Sequence, residues 1–256
     1  MKIATFNINN VNRRLPNLLR WLRSAKPDIV CLQELKSTDR EFPSHALAEA
    51  GYGAVWQGQR AWNGVAILAR KVDPVLVRTA LPGDRTDAEA RYIEAAVNGV
   101  IVTSLYLPNG NPQPGPKFEY KLAWFRRLRR HAAKFVKQDI PVVLAGDYNV
   151  APAALDIYPT RSWDNDALIQ PRSRDAFGSL VAQGWTDAVR DLHPSKPMFT
   201  FWDYKRNRWP RDAGLRLDHL LLSPALAPRL LKAGVDREVR AEDGASDHAP
   251  AWIVLR

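Results

Sequence analysis

The chain opens with a short apolar run, residues 3–6, that ends abruptly on Asn7-Ile8-Asn9-Asn10, the pattern of a buried strand meeting solvent. Leu15, Leu18, Leu19 and Leu22 then recur at helical spacing, with Pro16 in the first turn, where its missing N–H costs nothing. Pro27 stops that helix. Residues 28–33 resume extended structure and end at Glu34, which completes a β-α-β unit. Short strands are predicted at 54–56 and 64–69. The runs 91–97 and 100–107 flank Asn98-Gly99, the dipeptide of a two-residue hairpin turn. The second run leaves through Tyr106-Leu107-Pro108-Asn109-Gly110 into a Pro- and Gly-rich surface loop.

Phe118, Leu122, Phe125, Leu128, Ala132 and Phe135 mark one face of a long helix, and Arg126, Arg127, Arg129, Arg130, Lys134 and Lys137 mark the other. That basic face reads as solvated. Residues 142–146 form an apolar strand that delivers Asp147-Tyr148-Asn149. Alone, this exit fits a capped turn as well as it fits an acid and an amide sharing one face for chemistry. Residues 156–173 carry no period, 174–183 fit a helix capped by Gly184, and 198–204 are aromatic-rich. The runs 215–222, 235–239 and 250–255 complete the strands. Helices alternate with strands, but several neighbours are hairpin-connected, which argues against a doubly wound parallel sheet. Two mixed β-sheets packed face to face and flanked by helices, a four-layer α/β sandwich in a single domain 1–256, fit better.

Six apolar runs therefore end on polar residues: Asn7, Glu34, Tyr106, Asp147 with Asn149, Asp218, and Asp247 with His248. Acids inside buried strands are costly unless paired, protonated or metal-bound, so several in one chain call for a shared site. Carboxylate and amide oxygens suit a hard cation, Mg²⁺ or Mn²⁺, with Glu34 and Asp247 as candidate ligands. Asp218 and His248 form a candidate dyad in which a carboxylate holds a protonated imidazole near a phosphate. His219, adjacent to Asp218, faces the other side of a regular strand and reads as structural. No zinc-type spacing and no G-x-S-x-G elbow accompany these residues.

A formal net charge of +10 points to polyanionic partners, nucleic acid or an anionic membrane. Cys31 is the sole cysteine, which excludes an intrachain disulfide and favours a reducing compartment. The amino terminus lacks a secretory apolar region and no run is long enough to span a bilayer, so a cytoplasmic, monomeric protein is expected.

With Asn7, L-Q-E ending at Glu34, G-D-Y-N ending at Asn149, L-R-L-D ending at Asp218 and S-D-H ending at His248 in this order, the chain resembles the exonuclease III family. That family lies within the endonuclease/exonuclease/phosphatase superfamily. Asn63-Gly64-Val65-Ala66, Pro108-Asn109-Gly110 and Thr200-Phe201-Trp202 extend the match over the whole chain. The resemblance implies the four-layer sandwich and a Mg²⁺-dependent phosphodiesterase. Its implied substrate is double-stranded DNA with abasic sites, nicks or blocked 3′ ends. It implies that Glu34 binds the metal with Asp247 and Asn7, and that Asp147 orients or deprotonates water. Asn149, Tyr106, Asn109 and His248 then contact the scissile phosphate, and Asp218 orients His248. Phe201, Trp209 and Leu217 are candidates for a pocket that receives a base-free sugar, and Lys36, Arg91 and Arg216 for DNA phosphates; each could equally be core or solvated charge.

The sequence departs from the family at Asn9-Asn10-Val11-Asn12, at 156–172 and at 206–214. The balance of abasic incision, 3′-5′ exonuclease and 3′-phosphatase activity stays open on these grounds. The rivals are a phosphoinositide or sphingomyelin phosphodiesterase of the same superfamily, and a catalytically silent DNA-binding module. The aromatic segment before Leu217 favours DNA over lipid, and a pure phosphate binder has little use for acids facing its ligand.

Overall fold

A computed structural model describes residues 1–256. In chain order its strands are β1 (Lys2–Asn7), β2 (Ile29–Gln33), β3 (Tyr52–Gln57), β4 (Val65–Arg70), β5 (Val75–Arg78) and β6 (Tyr92–Val97). They continue with β7 (Val100–Tyr106), β8 (Val142–Asp147), β9 (Thr186–Asp187), β10 (Asp218–Leu222), β11 (Leu230–Val235) and β12 (Ala251–Leu255). The helices are α1 (Leu15–Ala25), α2 (Ser44–Glu49), α3 (Pro116–Lys137), α4 (Pro171–Val181) and α5 (Ala188–Leu192). One six-stranded sheet runs β11-β12-β1-β2-β4-β3 and the other β5-β6-β7-β8-β10-β9. Each contains one parallel pair, β1 with β2 and β7 with β8, and is otherwise antiparallel.

Strand periodicity dictates the layers. Ile3, Cys31, Ile67, Val102, Val143, Ala145, Leu220 and Ile253 point between the sheets into the central apolar layer. Their alternating neighbours face outwards. Ala4, Phe6 and Leu32 meet Trp21 and Leu22 of α1, whereas Leu105 and Leu144 meet Trp124 and Phe125 of α3 and Phe177 of α4. This is the expected four-layer α/β sandwich. Gly146 is required inside β8, because a Cβ there would lie 2.0 Å from the Leu105 carbonyl oxygen.

The hairpin at Asn98-Gly99 forms as predicted, with φ of 49° and 79° at the two turn residues. Two expectations are corrected, and one strand lies outside them. The strand predicted at 235–239 lies at Leu230–Val235, and residues 237–241 form a 3₁₀ turn. This edge strand exposes Leu231 and Lys232 and carries a bulge, which blurs its alternation. Strand β5, exposed throughout, escapes a periodicity reading altogether. Helix α4 begins at Pro171 rather than 174, with proline in the first turn.

Candidate active site

Two residues beyond the last apolar pair in each central strand, the gap between the sheets turns polar. Thr5 Oγ1 donates to Gln33 Oε1 at 3.2 Å, and Gln33 Nε2 donates to Ser104 Oγ at 3.0 Å, so one hydrogen-bonded layer spans both sheets. The next inward-facing positions are Asn7, Tyr106 and Asp147, with Asp218 paired opposite Asp147. Strand period 2 thus places them at one rim, at the carboxyl ends of both parallel pairs. Non-glycine residues with positive φ gather there: Asn9, Asn10, Glu34, Lys36 and Asn149. Backbone strain of this kind persists where surrounding contacts over-determine it, as at functional sites.

Asn7 ties the sheets together. Its Nδ2 donates to Glu34 Oε1 at 2.9 Å and to Asp147 Oδ2 at 3.0 Å. The Tyr106 hydroxyl donates to the same Glu34 oxygen at 2.8 Å. Asp147 Oδ1 accepts the Asn149 amide N–H at 2.8 Å, and Asn149 Oδ1 accepts from Asn109 Nδ2 at 3.2 Å. His248 Nδ1 lies 2.8 Å from Asp218 Oδ2, and its Nε2 lies 3.9 Å from Asp147 Oδ2. One ligand atom each from Asp147, Asp218 and His248 falls within 4.8 Å of the others. Phe201 packs against the His248 ring at 4.9 Å.

The electrostatics follow from burial. Desolvation pushes the Asp147 carboxyl up to about 7, with Asp218 adding to the rise and His248 opposing it. Burial also disfavours a charged His248, but the facing Asp218 carboxylate outweighs it and raises the imidazole to about 10. Burial, then Glu34 and Asp147, hold the Tyr106 phenol well above its ordinary value, so it stays protonated. Glu34 is instead lowered; its burial is overcome by Lys36 and by the Asn7 hydrogen bond.

Profile comparison of the sequence matches the Endonuclease/Exonuclease/phosphatase family over residues 4–248. The chain belongs to this family. It is 31% identical to exodeoxyribonuclease III of Haemophilus influenzae over 100% of both chains. Its fold is similar to an Asp-to-Asn variant of the 3′ phosphatase NExo from Neisseria, bound to a product DNA hairpin. That similarity has a TM-score of 0.96 and 39% identity, covering 100% of this chain and 99% of the other. An AP endonuclease from Archaeoglobus fulgidus superposes with a TM-score of 0.95 at 34% identity, with 100% and 99% covered.

Endonuclease/exonuclease/phosphatase enzymes of this nuclease type are metal-dependent, and the donor set here suits a cation. The oxygens are those of the Glu34 and Asp247 carboxylates and the Asn7 amide, the hard donors a divalent cation takes. The expected ligands Glu34 and Asp247 are joined indirectly. Lys36 Nζ contacts Glu34 Oε2 at 2.8 Å and donates to Asn9 Oδ1 at 2.7 Å, and Asn9 Nδ2 donates to Asp247 Oδ1 at 2.9 Å. Asn9 was not among the expected site residues, although it stands in the polar exit after β1.

Two substrate-binding expectations, Arg216 and Trp209, are corrected. Arg216 is 1% exposed, its guanidinium held by Asp156 and Asp187, so it is not available to a DNA phosphate. Lys36 is committed to Glu34 and Asn9 and lies over the Trp62 ring. Arg91 covers the Tyr106 ring at 4.8 Å and donates to the Tyr106 carbonyl, which places it behind that tyrosine. Trp209 packs edge-on against Trp202 beneath Arg237 and Arg240, apart from the cluster that holds Phe201 and Leu217. In that cluster the indole is Trp163, from a segment without sequence period. The basic face of α3 is solvated except at Arg127, which is buried against Asp87 and the Leu81 carbonyl.

Proposed function

We propose that this chain is a Mg²⁺-dependent DNA repair nuclease, with Mn²⁺ as a substitute, that hydrolyses phosphodiester bonds in duplex DNA through one catalytic domain, 1–256. The observation that supports it best is the meeting of a raised carboxyl, Asp147, with the Asp218–His248 pair at the rim between the sheets. Full-length similarity to an exodeoxyribonuclease III, a 3′ phosphatase and an AP endonuclease supports DNA carrying abasic sites, nicks or blocked 3′ ends as the substrate class. A lipid phosphodiesterase is not favoured by these relatives, and no helix is long and apolar enough to cross a membrane.

Glu34, with Asp247 and Asn7, would hold the cation. Held there, a cation would supply charge neutralisation at the phosphoryl group and a lowered pKa for a bound water. Asp147, raised to about 7, is basic enough to orient and deprotonate a water near neutral pH. His248, cationic because Asp218 faces it, donates toward the phosphoryl oxygens, and the Asn149 and Asn109 amides and the protonated Tyr106 supply further donors. In the free enzyme these donors are satisfied internally: Tyr106 by Glu34, and Asn149 Nδ2 by the Leu107 carbonyl. Substrate binding therefore exchanges hydrogen bonds instead of filling vacancies. Phe201, Trp163 and Leu217 form the apolar wall suited to a base-free sugar.

The test is incubation with duplex oligonucleotides carrying an abasic analogue, a nick or a 3′ phosphate, with Mg²⁺ or EDTA. Mg²⁺-dependent cleavage or phosphate release is expected; inertness toward all three overturns the proposal.

A further inference from the structure

Lys121 interrupts the apolar stripe of α3 at a position helically spaced with Phe118, Phe125 and Leu128, and its side chain is fully buried. No carboxylate pairs with it. Its Nζ instead donates to three backbone carbonyls, those of Asn149 at 2.5 Å, Asn109 at 3.0 Å and Ala167 at 3.5 Å. An ammonium has three donors, and here each is directed to a different loop: one after β7, one after β8 and one before α4. Two of these loops carry the amides already placed at the rim. Asn149 sits there in the left-handed region, φ 48°, which asparagine adopts more readily than other non-glycine residues.

The aliphatic stem is enclosed as well. A Cβ on Gly110, whose φ is 91°, would lie 2.7 Å from Lys121 Cδ and 3.1 Å from Ala167 Cβ. The loop after β7 therefore closes directly over the lysine. Three carbonyl dipoles converging on one point repel one another unless a cation occupies that point. A buried lysine with only carbonyl partners is expensive to retain for packing alone, since burial lowers its pKa to about 7.

Building on the nuclease reading above, we infer that Lys121 is a positioning residue that acts through Asn149 and Asn109, locking their amides in the orientation the phosphate requires. It touches neither substrate nor metal. Losing it should misplace the amides by a fraction of an ångström to an ångström, an error that costs turnover more than binding.

A double-mutant cycle on a Mg²⁺-dependent cleavage assay tests this, using the full chain, Lys121→Met, Asn149→Ala and the combined variant. Lys121→Met should lower kcat about 10- to 100-fold with KM for DNA within about twofold. In the Asn149→Ala background the same substitution should change kcat by less than about threefold, because one oriented amide is gone and the other, Asn109, has already lost the Asn149 Oδ1 acceptor that fixes it. A full loss in both backgrounds, or an unchanged kcat in the folded single variant, overturns the inference. If Lys121→Met does not fold by circular dichroism, the cycle is run with Lys121→Arg. Its planar donors cannot reproduce the three-carbonyl geometry, and the same criterion decides. Absence of cleavage by the unsubstituted chain would instead refute the nuclease reading.

Discussion

Arg216 and Asp218 are two residues apart in one L-R-L-D run, yet they belong to buried clusters of opposite design. At Arg216 the acids Asp156 and Asp187 are matched by guanidinium groups: Arg216 binds both and Arg190 binds Asp156. Burial would raise Asp156 and Asp187, but the arginines reverse it, and both carboxyls are lowered. At Asp218 the acids outnumber their partners, so Asp147 is raised and one Asp218 oxygen lacks a hydrogen bond. The first cluster is a charge-matched scaffold that anchors the loop after β8. The second is left electrostatically incomplete, and an incomplete buried cluster is what a cation and a phosphate can complete.

The sharpest way to break this distinction is Asp147→Asn. Removing the raised carboxyl should lower kcat about 10²- to 10⁴-fold while DNA affinity by gel shift stays within a few-fold. Near-normal turnover would remove Asp147 as the water-activating group. Arg216→Met should do the reverse. It leaves buried Asp187 without a guanidinium and Asp156 with Arg190 alone, an effect of about 3–5 kcal/mol on stability read from urea unfolding, with kcat of the remaining folded protein little changed. If Arg216→Met instead kept stability and lost turnover, the scaffold reading would be wrong.

A smaller effect is expected at Glu34. Glu34→Ala should move the Mg²⁺ midpoint for cleavage upward by at least about tenfold, and an unmoved midpoint would take Glu34 out of the metal site. The variant also frees Lys36, so a drop in cleavage without a midpoint shift would report that ammonium instead.

Sequence periodicity made the inward-facing polar residues legible, since Asn7, Tyr106, Asp147 and Asp218 each continue an inward-facing row of a buried strand. It also placed His219 correctly on the opposite face, where it packs against Tyr148 and Phe177. Arg216 is not placed by sequence, because an arginine two residues before an acid looks alike whether it faces DNA or two acids from distant segments. Asp156 lies 60 residues before it and comes from a stretch without period. Trp163 belongs to the same stretch, so no periodicity marks it as the indole beside Phe201 and Leu217. Lys121 did leave a signal, a charge inside an apolar helical stripe, but only the carbonyls around it give that signal a meaning.

The two clusters should also titrate on opposite sides of neutrality, the subtlest effect expected. Asp187 is buried, yet Arg216 and His219 hold it below its ordinary 3.8, so its stabilisation is in place above 3.8 and is lost as pH falls through the lower folded value. Asp187→Asn should therefore flatten the acid limb of stability against pH. His248 is raised from 6.5 to about 10, so its contribution is complete below 6.5 and is lost as pH rises through about 10. Asp147, pushed up to about 7, loses its contribution in the same direction, so the imidazole is isolated by placing His248→Asn in an Asp147→Asn background. Urea midpoints of that pair should differ most below pH 6.5 and converge as pH rises through about 10. If the acid limb depended on His248, or the alkaline limb on Asp187, the matched and unmatched clusters would not be the separate electrostatic units their geometry describes.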